Sequence, residues 1–438
     1  MCKTIAAIAT PPGLGGIAIL RVSGPDAAAI GSALCGRVSW ESHRMYYVRL
    51  ALDGETLDEA MAVLMRAPRS YTREDVLELH CHGGDMVCRK VLEAVLSLGA
   101  RPAAPGEFTR RAYENGRIDL AQAEAAMLLI GAQGQAAARA ALRQMDGAVS
   151  LLVQKARDRL TAMLAEIAAC TDFPDEIDET PTAASLLHQV QALAKDLRAA
   201  CDARQGRVLS HGLDVVIAGR PNVGKSSLLN ALLGEARAIV TSQPGTTRDA
   251  VRGSLLLGGV RINLTDTAGL REAEGEAEII GIERAKQLME TADLLLIVLD
   301  ASQPLRLEDE KLLQDTQGMP RLILLNKSDL PPALETPHDL TVSAQTGEAI
   351  AALQARLADM ALHSQAGSAL LTQARHVDAA RRAAAALDDM AKALAGGMPM
   401  DFASVDAREA LHILGEITGD NAEDSVVDAV FRDFCVGK

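Results

Sequence analysis

The sequence predicts a multidomain chain: an α+β region at the N-terminus, an all-α bundle built from two separated stretches, and an α/β region inserted between them. Three observations predict it. The 438 residues allow about three domains at roughly 150 residues each. The apolar pattern changes period twice, from short runs of β-rich residues to spacings of three and four, and then to buried strands separated by helices. Helical spacing then returns for the last stretch of the chain.

Residues 1–117 form the α+β region. Ile17 to Val22, Tyr46 to Leu50 and Val76 to Leu79 read as strands, and Pro25 to Leu34 and Asp85 to Leu98 as helices. Pro25 suits a first helical turn, and Gly36 and Gly99 suit C-terminal caps. Residues 118–212 carry Leu120, Ala123, Met127 and Ile130 on one helical face, followed by Leu142, Met145, Val149 and Leu152, and then Ala156, Leu160, Met163 and Ile167. The run from Asp172 to Glu176 breaks the pattern, and a further helix is predicted from about Thr182 to Arg204, before Gly206. In residues 213–370 the strands Leu213 to Ala218, Val260 to Thr265, Leu294 to Leu299, Leu322 to Leu325 and Leu340 to Val342 alternate with helices, which predicts a doubly wound, largely parallel sheet. Residues 371–438 return to helical spacing through Val377, Ala380, Ala384, Leu387, Met390 and Leu394, then Ala407, Leu411 and Leu414. Gly419 closes that helix, and Asp420 with Glu423 resembles a capping pair for a last helix with Val427, Val430 and Phe434. Each helical block has an apolar stripe too wide to stand alone, so the two are expected to make one bundle.

Composition narrows the function. Hydrophobic residues make 48% of the chain and aromatic residues only 2%, so little is available for stacking on bases. The formal charge of -14 has the wrong sign for a protein that coats nucleic acid, and any RNA contact must be local. Arg101, Arg110, Arg111 and Arg117 are the candidate basic patch, with an ordinary charged surface as the competing reading. The seven cysteines are scattered, without a C-x-x-C pair, which suits a reducing compartment. The longest uniformly apolar strand-like run, Leu294 to Leu299, is far shorter than the roughly 18 residues of a membrane span. A cytoplasmic protein without membrane attachment is expected.

The chemistry concentrates in the α/β region. Gly219-Arg-Pro-Asn-Val-Gly-Lys-Ser226 follows a strand and opens a helix, the setting of a phosphate-binding P-loop. Asn222, Val223, Gly224, Lys225, Ser226 and Ser227 would hold phosphates with amides, one full charge and a Mg2+-ligating hydroxyl on Ser226. Asn326-Lys327-Ser-Asp329 selects guanine, because the Asp329 carboxylate accepts both the N1 hydrogen and the exocyclic amine. Ser343, Ala344 and Gln345 would complete the base pocket. Asp266, Thr267, Ala268 and Gly269 end a strand where a metal-supporting aspartate and a γ-phosphate amide belong. Thr246 and Thr247, in the run Gly245 to Asp249, fill the position whose hydroxyl closes the Mg2+ shell. Four motifs in this order predict a GTPase. Leu270 follows Gly269, and its apolar side chain cannot orient water, so Glu278 is the candidate to do so; on spacing alone it is also an ordinary solvated helix residue.

These motifs, together with ATPPGLGGIAILRVSG near the start, PGEFTRRAYENGRIDLAQAEA in the middle and a terminal FCVGK, resemble the bacterial MnmE (TrmE) family of tRNA modification GTPases from the first strand to the last residue. The resemblance implies an N-terminal tetrahydrofolate-binding domain that forms a homodimer, a discontinuous helical domain, and an inserted Ras-like P-loop GTPase domain. It also implies action with the flavoprotein MnmG (GidA), as a heterotetramer, on the C5 position of the wobble uridine of tRNA, giving aminomethyl or carboxymethylaminomethyl groups. By the same resemblance, K+ is held by Asn222, Thr241, Gln243 and Thr246, with Ser242, Pro244 and Gly245 in the same loop, G domains pair across the nucleotide, and Glu278 positions the hydrolytic water. A basic residue commonly follows that glutamate in relatives, whereas here it is Ile279. Arg21, Glu78, Arg117 and Lys438 are implied to hold the folate, in its 5-formyl or 5,10-methylene form; Arg117 stands where lysine is usual.

Cys435 is a candidate for chemistry or for closing the folate site, the competing reading being a small buried thiol that anchors the last helix. His80, Cys81, His82 and Cys88 suggest zinc only weakly, since His80 and His82 face one side of a strand and Cys81 the other. The second functional reading is a ribosome-assembly-type RNA-binding GTPase switch, which would need a compact RNA-binding module beside the nucleotide domain.

Overall fold

The computed structural model describes all residues except 1–2, 38, 174–178, 236–251, 268–275, 364–369 and 433. Chain order begins with β1 (Ile5–Ile8), β2 (Ile17–Ser23), α1 (Ala27–Cys35), β3 (Met45–Leu52), β4 (Glu55–Met65), β5 (Val76–His82), α2 (Asp85–Ser97), β6 (Arg101–Pro102) and α3 (Glu107–Glu114). These six strands form one sheet in the order β3-β4-β5-β2-β1-β6, in which only the β1–β6 pair is parallel. Alternation decides its two faces. Leu20 and Val22 of β2 and Leu77 and Leu79 of β5 enter a core with Ile30, Leu34, Val91 and Val95 of α1 and α2. Arg21 and Glu78, one residue out of step, belong to the other face and pair directly in register.

Helices α4 (Leu120–Gly131), α5 (Gln135–Met145), α6 (Ala148–Asp172), α7 (Glu179–Ala199) and α8 (Ala203–His211) follow. The α/β part comprises β7 (Leu213–Ala218), α9 (Lys225–Glu235), β8 (Arg252–Leu257), β9 (Val260–Asp266), α10 (Glu276–Thr291), β10 (Leu294–Asp300), α11 (Leu307–Asp315), β11 (Arg321–Asn326), β12 (Leu340–Val342) and α12 (Ile350–His363). Its sheet runs β12-β11-β10-β7-β9-β8, parallel except for the terminal β8–β9 hairpin. The chain ends with α13 (Ala374–Ala395), α14 (Met400–Thr418) and α15 (Asp424–Arg432). The mixed layout is the multidomain one expected. α6 packs on α14, so helices from before and after the α/β part share a core.

Two compact units result. One holds residues 1–127, 144–186 and 389–438; the other holds residues 128–143 and 187–388.

Several local expectations are corrected. β4 was not anticipated, because Glu55, Asp58 and Glu59 hide the alternation that buries Ala60, Ala62 and Leu64. The stretch from 182 to 204 is two helices, and Gly206 lies inside the second, where a Cβ would collide with the Thr372 carbonyl at 1.6 Å. Pro25 precedes the N-cap residue Asp26 rather than entering α1. Asp420 does not cap α15; its carboxylate instead accepts hydrogen bonds from Arg157 and Thr418. Gly36 and Gly419 do close their helices in the left-handed conformation, at φ 62° and 91°.

Candidate functional site

The described residues of the nucleotide motifs lie at the C-terminal ends of β7, β9, β11 and β12, on one edge of the parallel sheet. β7 runs into the loop 219–224, and α9 begins at Lys225, so the first amides of that helix face the loop. The turn demands glycine at two points. At Gly224 (φ +97°) a Cβ would lie 2.2 Å from Asn326 Nδ2, and at Gly219 a Cβ would lie 2.5 Å from the Val298 carbonyl. Asn222 is exposed at the crest of the loop with φ 64°, an uncommon left-handed conformation that asparagine tolerates.

Lys225 is buried and donates to the Arg220 carbonyl at 2.8 Å. Ser226 Oγ donates to Asp266 Oδ2 at 2.6 Å, which joins the hydroxyl to the carboxylate at the helix N-terminus. Hard oxygen donors of this kind suit Mg2+. Thr267 turns its hydroxyl to the Ile217 carbonyl at 3.0 Å.

Asn326 fastens the base side to the phosphate side. Its Nδ2 donates to the Val223 carbonyl at 2.8 Å, and its Oδ1 accepts from the Ala344 amide at 3.0 Å. Ser343 is buried and donates its hydroxyl to Asp329. Lys327, at φ 70°, reaches Asp300 Oδ2 at 2.7 Å. Burial raises the Asp300 carboxyl, but Lys327 and the hydroxyl and amide of Ser302 outweigh it and hold the group below the usual carboxylate range. Asp300 was missed by the sequence reading, although a carboxylate ending the apolar run Leu294 to Leu299 was a usable signal. A second missed element is the buried pair Arg220–Asp309, 3.0 Å apart, which ties the loop to α11.

Val223 is buried and Ser227 exposed on this same loop and helix. Gln345 follows Ala344 in the loop after β12. Glu278 falls in the first turn of α10, but its side chain is outside the described residues, as are Thr241, Ser242, Gln243, Pro244, Gly245, Thr246, Thr247, Ala268 and Gly269.

A second cluster lies on the other face of the N-terminal sheet, where Ile5, Ala7 and Phe108 form a small buried core. Arg21 Nε donates to Glu78 Oε1 at 2.9 Å, and Arg21 Nη1 donates to the Gly437 carbonyl at 3.3 Å. The Arg21 guanidinium stands 5.7 Å from the rings of both Tyr71 and Phe108. Arg117 stacks on Tyr71 at 4.7 Å and donates to the Tyr71 carbonyl. Residues from four distant stretches thus meet at Tyr71 and the C-terminal tail, whose last residue, Lys438, is partly exposed. Tyr71 and Phe108 were not anticipated; their rarity in a chain with five Phe and four Tyr was the available signal. The tail is held tightly. A Cβ at Gly437 (φ +97°) would meet the Ile8 carbonyl at 2.5 Å, and one at Gly106 (φ +67°) would meet Phe434 Cβ at 2.8 Å.

Cys435 is exposed, so it is not a buried anchor; the neighbouring Phe434 is the buried residue. Cys81 enters the core, while His82 pairs with Asp58 at 2.7 Å and His80 lies 3.4 Å from Glu78. Of the candidate basic patch, Arg111 is buried between Glu74 and Glu107, Arg101 pairs with Glu107, and Arg110 pairs with Glu114 and Asp428. Ion pairs therefore occupy three of its four members. No helix among the described residues is long and apolar enough to cross a membrane.

A strand, a glycine-dependent loop whose lysine opens the next helix, and an NKSD corner hydrogen-bonded to that loop define the α/β part as a P-loop GTPase domain. Comparison with known proteins gives the family. Residues 4–117 match the model of the GTP-binding protein TrmE N-terminus, and residues 120–435 match that of the MnmE helical domain. The tRNA modification GTPase MnmE of Levilactobacillus brevis is 43% identical over 99% of this chain and 98% of its own. That of Geobacter sulfurreducens is 44% identical over 99% of both. Among solved structures, Era from Aquifex aeolicus with GDP and aluminium fluoride is 32% identical, covering 33% of this chain and 56% of its own, at a TM-score of 0.28. The chain belongs to the MnmE family of tRNA modification GTPases.

Proposed function

We propose that the chain is a K+-stimulated GTP hydrolase that acts in the cytoplasm as a homodimer. With a flavoprotein of the MnmG (GidA) type and a reduced folate, it takes part in aminomethyl or carboxymethylaminomethyl modification at C5 of the tRNA wobble uridine. The working division is a folate-binding and dimerising region at 1–117, a helical region at 118–212 and 371–438, and a G domain at 213–370. The observation that carries the reading is the coexistence in one chain of the Asn326-locked nucleotide corner and the Arg21–Glu78 cluster under the C-terminal tail.

In this reading Lys225 and the amides of residues 222–227 hold the phosphates, Ser226 and Thr247 supply Mg2+ ligands beside Asp266, and Asp329 reads guanine while Lys327 is braced by Asp300. A bound K+ supplies positive charge beside the phosphates, where other GTPases use an arginine. The Asn222 side chain, exposed at the loop crest, is a hard oxygen donor suited to it, with Thr241, Gln243 and Thr246 completing the set. Glu278 orients the water. Arg21 and Glu78 match the donors and acceptors of a folate ring, Tyr71 offers a stacking face, Arg117 and Lys438 add charge, and Cys435 is carried by the tail to this cluster.

The test has two readouts. GTP hydrolysis should rise at least tenfold in K+ over Na+, and Asn222→Ala should abolish that difference. Mass spectrometry of tRNA nucleosides from cells lacking the protein should show loss of the C5 group. Equal rates in both salts, or an unchanged nucleoside profile, would overturn the reading.

A further inference from the structure

The turn that carries Asp329 begins on an unfavourable backbone. Lys327 sits at φ 70°, in the left-handed region where a Cβ crowds the following carbonyl, and its long side chain has no short polar group to bond its own backbone in compensation. Strain of this kind persists only where the surroundings over-determine it. Two backbone bonds close the turn: the Leu330 amide donates to the Lys327 carbonyl at 3.1 Å, and the Ser328 amide to the Val342 carbonyl at 3.2 Å. A further constraint comes from a different strand. Asp300 ends β10 opposite Asn326 in the parallel register, and its Oδ2 receives Lys327 Nζ at 2.7 Å.

Asp300 is itself immobilised. It is 3% exposed, and its Oδ1 accepts the Ser302 hydroxyl at 2.6 Å and the Ser302 amide at 3.0 Å, so each carboxylate oxygen has a fixed partner. Burial opposes its charge, yet Lys327 and Ser302 hold the carboxyl ionised below the usual range. Lys327 needs such an anchor, since its ammonium rides on a flexible four-carbon stem and the residue is only half-buried. Asp329, two residues on, is exposed, and Ser343 donates to one of its oxygens. The aim of its carboxylate therefore depends on the turn beneath it.

We propose that Asp300 is a positioning residue for base selection: by anchoring Lys327 it fixes the turn 327–330 and so aims the Asp329 carboxylate at both the N1 hydrogen and the exocyclic amine of guanine. The inference rests on the reading of Asp329 as the guanine acceptor and adds what sets its direction. Inosine keeps the N1 hydrogen and lacks the amine. A single hydrogen bond tolerates rotation of the carboxylate, whereas a two-pronged one does not, so the ratio of GTP to inosine triphosphate (ITP) affinity reports the aim. Both affinities of the full-length chain are measured by competition against a fluorescent guanine nucleotide. The native chain should prefer GTP by roughly tenfold or more. Asp300→Asn, which keeps the shape and removes the charge, should cut that preference roughly fivefold, through weaker GTP binding with ITP binding little changed. Adding Asp300→Asn to Lys327→Met should produce no further fall in the ratio, because the anchor then has nothing to hold. Both affinities are taken on one preparation, so a misfolded fraction cancels, and a merely structural defect leaves the ratio native. Where Asp300→Asn does not fold, Ser302→Ala decides, since it frees the Asp300 carboxylate to rotate and should lower the ratio in the same direction. A native ratio in the variant that decides, or a further fall in the double variant, would overturn the proposal and leave the Asp329 reading standing. A native chain that binds ITP as tightly as GTP would remove both.

Discussion

Three thiols illustrate how environment, not residue type, decides chemistry. Cys81 points into the core of the N-terminal sheet, and burial pushes its thiol up to about 12. Burial also takes the Cys35 thiol to about 12, outweighing the opposing charge of Arg37. Cys435 is exposed in the tail. A thiol at 12 is roughly 10⁻⁴ thiolate at pH 8, and the thiolate is the reacting form. Brief treatment of the native protein with N-ethylmaleimide at pH 8 should therefore label Cys435 while Cys35 and Cys81 react only after denaturation, as read by peptide mass spectrometry. Native labelling of Cys81 as fast as Cys435 would show that β5 does not seal its core. The sequence left Cys435 balanced between a reactive and a buried role, because the 3.6-residue periodicity of α15 cannot be extended past the helix end into an irregular tail.

At the level of elements, the nucleotide corner depends on Asn326 joining two loops more than 100 positions from each other, through the Val223 carbonyl and the Ala344 amide. Asn326→Ala leaves the buried Val223 carbonyl and the partly buried Ala344 amide without that partner, which costs about 1–3 kcal/mol for a group that water cannot reach and less for one that it can. The variant should unfold at lower denaturant, and its GTP affinity should fall at least tenfold in a fluorescent-nucleotide titration. An affinity within twofold of native would mean that the two loops are positioned independently. Much of this corner was legible, since buried parallel strands announce themselves as continuous apolar runs, and the glycines and lysine follow such a run. Elements with mixed patterns were not. β8 is a terminal strand holding Arg252, Gly253 and Ser254, and β4 opens with three carboxylates, so tertiary pairing rather than local pattern makes them strands.

At the level of the molecule, the two clusters lie in different compact units, the nucleotide corner in residues 187–388 and the Arg21–Glu78 cluster in the unit that holds both chain ends. Nothing in spacing or periodicity could bring Arg21 to a carbonyl 416 positions away; only the family resemblance pointed to the tail. The backbone explains why the tail stays there. Gly437 passes so close to Ile8 and Ala9 that no side chain fits, and the Gly106 amide donates to the Cys435 carbonyl at 3.3 Å. Removing residues 435–438 should free one hydrogen-bonding position of Arg21 and open the cluster to solvent, while Phe434 stays seated against Phe431 to hold α15 in place. Binding of 5-formyltetrahydrofolate, followed by calorimetry, should then weaken at least tenfold. GTP hydrolysis by the truncated chain alone should stay within about twofold of native, because among the described residues no hydrogen bond of Lys225, Ser226, Asn326 or Lys327 reaches the tail. Gly437→Ala should give the same split with a smaller folate defect, since it displaces the tail without removing it. If both variants bound folate as the full chain does, the tail would be a strut beside the cluster rather than a wall of it; if hydrolysis fell as well as folate binding, the tail would influence the nucleotide unit without folate being bound.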